Sequence, residues 1–315
     1  MSRKPPECIT IANGTARLAV VPTSGSGIAR YWTEAGGRQI DWLLRPTTPE
    51  ALAERDPTGL ACFPLVPYSN RIRNGCFRFA GELITMPRSK MREAHAEHGH
   101  GWVSPWTVVA RNADRLTTEY RHAPDSWPFT YSARQMFQLA ETALHVRIEL
   151  RNDDRRPMPC GIGLHPYFPR DPDSRLFAKV EGMWRNDPDT LPVENISPPA
   201  PQNPARGLAV DRVELDNVFT EWSRLAVMEW PSRTQRLEMV ATPPLTFLVI
   251  YTPAGEPYFC AEPVSNCTDA FNLAAAGITD TGMIVLAPGQ TISGEVTFRT
   301  HIDCVPQLGK PTEDR

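Results

Sequence analysis

The sequence predicts an all-β fold of the sandwich or barrel type, and three observations carry that expectation. The 32 prolines are about twice the ordinary share of ~5%, and they punctuate the whole 315-residue chain instead of clustering. A proline inside a helix removes an amide donor and clashes with the preceding turn, whereas strands separated by turns and loops tolerate that density. Apolar side chains recur with period two in many short segments, the signature of strands with one buried face. Helical candidates are few and short, and no alternation of helix with strand appears, which disfavours a parallel sheet.

Taken in chain order, strands are expected at 17–21 and 27–33, followed by a short helix at 49–55. Segments 77–79 and 82–85 flank Ala80-Gly81 and read as a hairpin, as do 106–111 and 116–121 around Asn112-Ala113-Asp114. A strand at 129–139 comes next. In 143–151, Leu144, Val146, Ile148 and Leu150 fall on one face, with His145, Arg147, Glu149 and Arg151 on the other. Pro188, Pro192, Pro198, Pro199, Pro201 and Pro204 mark a long irregular excursion, expected as a surface loop because the strand-like segments on either side look alike. Further strands are expected at 226–230, 236–241, 246–252 and 283–286, with a helical turn near 269–275. In 295–302, Val296, Phe298, Thr300 and Ile302 share a face. The sequence shows no internal repeat, so we expect one domain over residues 1–305 and a polar tail at 306–315.

Composition narrows the function. The net charge is −3, from 33 basic and 36 acidic residues, which favours neither nucleic acid nor an anionic membrane as partner. No apolar run approaches the ~18 residues of a transmembrane helix, and the N-terminus does not read as a signal peptide. Seven cysteines without a CxxC pair fit idle thiols in a reducing compartment better than a disulfide framework. The expectation is a cytoplasmic globular protein, monomeric or homodimeric.

Four segments carry chemistry. Within 63–75, Asn70 and Arg71 stand side by side, an amide beside a planar fork of donors that suits neighbouring hydroxyls; a turn with Arg71 paired to a surface acid is the competing reading. Residues 95–102 hold His95, His98, His100 and Trp102. They read as a metal site, as a glycine-flexed loop presenting an imidazole beside an aromatic plane, or as a solvated loop; the HExxH spacing of a helical zinc site is missing. In Gly161-Ile-Gly-Leu-His-Pro-Tyr-Phe168, His165 interrupts an apolar run, and Gly161 and Gly163 weaken a strand unless another group must approach closely. In 259–271, Glu262 sits at the end of the 246–252 strand and its continuation, and a carboxylate in apolar surroundings is either well bonded or a general base. Asp216, flanked by Leu215 and Val218, is a further acid of this kind.

In order and content, these segments resemble the aldose 1-epimerase (galactose mutarotase-like) family from Arg17 to Ile302. The match runs through an Asn-Arg-Ile stretch at 70–72, a His-Gly stretch, Gly-x-His-Pro-Tyr-Phe at 163–168, an Asp before an aromatic, and Glu-Pro at 262–263. The sequence departs from many galactose mutarotases in having His-Gly-His-Gly-Trp in place of His-Gly-Gly, and Pro-Tyr-Ser-Asn-Arg in place of Arg-Tyr-Ala-Asn-Arg.

The resemblance implies a large antiparallel β-sandwich, the galactose mutarotase-like supersandwich, with a sugar cleft across one concave sheet. It implies Glu262 as general base and His165 as general acid. It implies His98, Arg71, Asn70 and Asp216 as sugar-binding residues, to which the sequence adds Trp102. The implied reaction opens a free monosaccharide to its aldehyde and recloses it on the other face, so neither a metal nor an organic cofactor is expected. From reference values alone, Glu262 is expected to be ionised at neutral pH. Two other readings remain: a hexose-6-phosphate mutarotase, using Arg73, Arg88, Lys90 and Arg92 for the phosphate, and a non-catalytic carbohydrate-binding sandwich. A polysaccharide lyase would need a helical domain for which the chain lacks room.

Overall fold

In this computed structural model, residues 8–44, 57–88 and 94–302 are described. The alternating segments build two antiparallel sheets. One has nine strands in the order Thr107–Arg111, Arg115–His122, Tyr131–Leu139, Ala143–Asn152, Thr291–Ile302, Gln235–Ala241, Leu225–Trp230, Arg175–Ala178 and Leu208–Ala209. The other has eleven. Its path runs Ile9–Asn13, Ala16–Val21, Gly27–Ala35, Cys62–Leu65, Gly163–Pro169, Tyr258–Val264, Phe247–Tyr251, Asp216–Thr220, Gly182–Asn186 and Pro192–Ile196, with Arg38–Leu43 paired to Gly27–Ala35 beside it.

The predicted periodicity is what holds the nine-stranded sheet to its core. Leu144, Val146, Ile148 and Leu150 are buried, and Leu144 and Val146 pair with Phe298 and Val296 in unbroken register. The sheets meet through large rings: Phe168 lies 6.5 Å from Phe298, Trp42 lies 6.5 Å from Trp230, and the Trp230 indole donates to the Pro169 carbonyl. Each such ring is worth ~1.5–3 kcal/mol on burial, so this interface is the main store of stability. Both expected hairpins form, and Asn112 Oδ1 closes one by accepting from the amides of Asp114 and Arg115. The helical turn near 269–275 is the helix Ala270–Ala275.

Two expectations change. The 188–204 excursion is not wholly irregular: Pro192–Ile196 is an edge strand on Gly182–Asn186, followed by short 3-10 turns at Ala200–Gln202 and Pro204–Arg206. Pro192 opens that strand, a place where a missing amide is tolerated. Glu262 does not continue the 246–252 strand. A turn at Ala254 and Gly255 reverses the chain, and Glu262 returns on the separate strand Tyr258–Val264, opposite Val249. The helix expected at 49–55, Lys90, Arg92 and the tail at 306–315 fall outside the described residues. Among the described residues, no helix is long and apolar enough to cross a membrane, and Cys8, Cys62, Cys76, Cys160, Cys260 and Cys267 are free thiols.

Candidate active site

The centre of the eleven-stranded sheet is irregular for a reason visible in the sequence. Gly163 pairs with Val264, and pairing resumes only at Tyr167 with Cys260. The gap holds Pro166 on one strand and Pro263 on the other, neither of which can donate to a ladder. Carrying the same register across the gap places His165 directly opposite Glu262. Opposed side chains on one face start ~4.5–5.5 Å apart at Cβ. Here His165 Nε2 comes to 3.2 Å from Glu262 Oε1.

Period two then sets the floor of a cleft in two rows. Phe63, His165, Glu262 and Val249 pair across neighbouring strands, Phe63 with His165 and Val249 with Glu262. Two residues along, Tyr167, Cys260, Tyr251 and Asp216 form the second row. The opposite parity, including Phe168 and Phe259, packs into the core. His165 is clamped between Phe63 at 4.6 Å and Tyr167 at 4.8 Å, the latter stacked within 16°.

Loops make the wall. Asn70 adopts φ 61°, which Asn tolerates, and its Oδ1 accepts the Arg71 amide at 2.9 Å. Asn70 is thus partly a brace for Arg71, and its Nδ2 is the atom it can turn to a ligand. Arg71 pairs with Glu97 in a short bridge, and its carbonyl accepts from Asp269. The guanidinium donates to Asp216 at 2.9 Å through Nη2 and lies 3.6 Å from Glu97 Oε1 through Nε. His98 Nδ1 accepts the Asn70 amide at 3.1 Å, which puts the proton of the neutral ring on Nε2 and makes that nitrogen a donor. Trp102 packs 5.2 Å from Phe63 and 5.5 Å from His98, while its indole donates to the Gly99 carbonyl. Trp102 therefore offers the cleft a plane.

Behind the floor, the two glycines singled out in the sequence do make room. A Cβ on Gly161 would sit 1.9 Å from Asn266 Oδ1, and one on Gly163 would sit 2.7 Å from Val264 Cγ1. Asn266 Oδ1 accepts from the Ser69 amide and hydroxyl, and its Nδ2 donates back to the Ser69 carbonyl. This ties the Glu262 strand to the loop that carries Asn70 and Arg71.

Glu262, His165, His98, Arg71, Asn70, Asp216 and Trp102 all line this one cleft, together with Thr58, Phe63, Glu97, Tyr167 and Tyr251. The sequence reading missed Glu97, although it adjoins His98. It also missed Tyr167, although a strand through His165 places i+2 on the same face. Tyr251 needed the register of a strand pair, which one sequence does not supply.

The electrostatics bear on one of these residues. Burial pushes the Glu262 carboxyl well above the ordinary 4.5, with Asp216 and Glu97 adding to the rise and Arg71 opposing it. Glu262 thus holds its proton more tightly than a solvated glutamate, because a buried third carboxylate is disfavoured beside two others. Burial works against the Arg71 charge, but Asp216 and Glu97 outweigh it and keep the guanidinium protonated.

The three clustered histidines have separate tasks, which removes them as a joint metal site. His95 Nδ1 accepts the Asn74 amide, His98 faces the cleft, and His100 stacks on His122 at 4.5 Å and 16°. Burial, with His122 alongside, pushes the His100 imidazole down to about 4. His100, His122 and Asp125 bring ligand atoms within 4.8 Å, with His100 Nε2 at 3.8 Å and His122 Nε2 at 3.4 Å from Asp125 Oδ1, and this group lies outside the cleft lining. His165, Cys260 and Glu262 also lie within 4.8 Å, and a soft divalent ion there would occupy the floor itself.

Comparison with known proteins agrees in extent and fold. The family model described as Aldose 1-epimerase matches residues 7–299. The uncharacterized protein YphB of Escherichia coli (strain K12) is 30% identical over 308 residues, covering 93% of this chain and 98% of that protein. A crystal structure from Escherichia coli K12, of a protein named provisionally as an aldose 1-epimerase, has a TM-score of 0.84 at 27% identity, covering 94% of this chain and 99% of that one. A galactose mutarotase-like protein from Clostridium acetobutylicum has a TM-score of 0.83 at 20% identity, covering 94% and 95%.

Proposed function

Because the chain belongs to the aldose 1-epimerase family, we propose that it interconverts the α and β anomers of a free aldose by acid–base ring opening and reclosure. The observation that carries this reading is the buried cross-strand pair, with His165 Nε2 3.2 Å from Glu262 Oε1 on the cleft floor.

The chemistry asks for little else. Glu262 takes the proton from the anomeric hydroxyl while His165 gives one to the ring oxygen, and the bond between C1 and that oxygen breaks to leave the aldehyde. Rotation about C1–C2 exposes the other face. Reclosure returns both protons, so no electrons or groups are left over. A carboxylate whose affinity for protons is raised towards the working pH is a better base, and each proton transfer is typically worth ~10²–10⁴-fold. The His98 Nε2–H, Arg71, Asp216 and Asn70 would hold hydroxyls, while Trp102 and Tyr251 would face the apolar side of the ring.

A free sugar fits better than a phosphosugar. Arg73 is turned to Asp269 at 3.2 Å and to Asp187 at 3.9 Å, and neither it nor Arg88 lines the cleft. The test is a panel of freshly dissolved α-anomers of glucose, galactose and arabinose with their phosphates, followed by polarimetry or NMR. Acceleration of at least one free aldose supports the proposal. A large preference for a phosphate would favour the phosphosugar reading, and binding without acceleration would favour a carbohydrate-binding role.

A further inference from the structure

The cleft holds a charge arrangement that acid–base ring opening does not require. Three carboxyl groups, Glu97, Asp216 and Glu262, surround a single guanidinium, Arg71, which is the one arginine or lysine among the described lining residues. Arg71 is nearly enclosed, and its nitrogens are divided among Asp216 at 2.9 Å, Glu97 at 3.6 Å and Asn70 at 3.4 Å. Glu97 also lies 3.9 Å from His98 Nε2, the donor that faces the ligand. Asp216 alone would already neutralise Arg71. Glu97 is a second, buried carboxylate on the same cation, and its side chain is only 8% exposed. Glu97 thus adds a second negative charge beside Arg71 at the wall of the cleft.

We propose that Glu97 is a specificity-determining residue: with Asp216 it neutralises Arg71 and turns the cleft against anionic sugars, so that the enzyme takes neutral or amino-bearing aldoses and rejects uronates and sugar phosphates. Glu97 reaches the ligand's surroundings from the loop side and Asp216 from the sheet side, so a carboxylate or phosphate on the sugar meets like charge from both directions. Water is partly excluded there, which leaves that repulsion poorly screened. A protonated amine would meet the opposite effect. The inference rests on the proposal that this cleft binds a reducing sugar.

The experiment compares sugars of one configuration that differ in charge: glucose, glucuronate and glucosamine, or galactose, galacturonate and galactosamine. Affinity is read by NMR titration and kcat/KM by mutarotation, in the parent, Glu97→Gln and Asp216→Asn. The parent should prefer the neutral sugar over its uronate by at least about tenfold, and Glu97→Gln should shrink that ratio by about tenfold at low salt. A merely structural role for Glu97 would lower both sugars together and leave the ratio where it was. Should Glu97→Gln not fold, Asp216→Asn carries the same ratio test from the other side of Arg71. Equal parent affinity for aldose and uronate, or a ratio unmoved by either variant, overturns the proposal with mutarotation intact. Sugar binding with the expected ratio but no mutarotation would leave this proposal standing and remove the enzymatic reading. No binding of any of these sugars would remove both.

Discussion

The Ala143–Asn152 strand and the Gly163–Pro169 strand lie in the same sandwich and are built on opposite terms. The first pairs in continuous register on both sides and alternates between core and surface. The second is buried at every position, carries Pro166, and loses its pairing to Tyr258–Val264 where His165 and Glu262 stand. One region stores stability through apolar contact. The other spends it, holding ionisable groups out of water in a section of sheet that proline has opened. The contrast teaches where to look in such a fold: the buried ionisable pair sits where the regular sheet is interrupted by residues that cannot complete a ladder.

Substitutions can sharpen that division or break it. The largest effect should come from the floor of the cleft. Glu262→Gln keeps shape and removes the proposed base, so kcat should fall by about 10²–10⁴ with a modest change in KM; His165→Asn should do likewise. Both should remain folded, and an unfolded variant would mean that the floor also carries the fold. In the regular region the pattern should invert. Phe298→Ala, at the ring contact between sheets, should cost about 3–5 kcal/mol in chemical denaturation while the folded fraction keeps its kcat. A kcat loss as large as that of Glu262→Gln would erase the distinction.

A smaller effect follows from the raised Glu262 pKa. A carboxyl whose native value lies above its unfolded one contributes stability fully below the unfolded value, and loses it as pH rises through the native value. The parent should therefore weaken relative to Glu262→Gln as pH climbs from 4.5 upwards. Thermal melts of the two proteins across pH 4–9 would check this, and a constant difference would contradict the raised Glu262 pKa. The smallest effect belongs to the wall. Asp216→Asn should raise KM more than it lowers kcat, because the Arg71 pair would be weakened while the proton-transfer pair stays in place. Steady-state kinetics on the best aldose would show the reverse order if Asp216 moved a proton.

Legibility followed the same boundary. Val296 and Phe298 were readable as core because one face of their strand is wet, and alternation survives in such a strand. Tyr258–Val264 is buried on both faces, so its run has no period, and Glu262 was assigned to the wrong strand although its acidity in an apolar run marked it. Gly161 and Gly163 announced a close approach but could not say that Asn266 and Val264 would make it. The residues alone did not separate His98 from His95 and His100; the family resemblance singled it out, and the structure gives the other two rings partners of their own in the Asn74 amide and His122. Glu97 left almost no trace, because a carboxylate beside a histidine in a polar loop looks solvated until a bridge to Arg71 turns it inward.

The central claim is that Glu262 and His165 act on one proton circuit, and a double-variant cycle tests it most directly. Mutarotation of one aldose is measured for the parent, Glu262→Gln, His165→Asn and the double variant, all shown to be folded. Groups that serve the same ring-opening event lose their value together, so the double variant should be little slower than the slower single one. Losses that multiply, or a folded Glu262→Gln protein with near-parental kcat, would contradict a shared circuit.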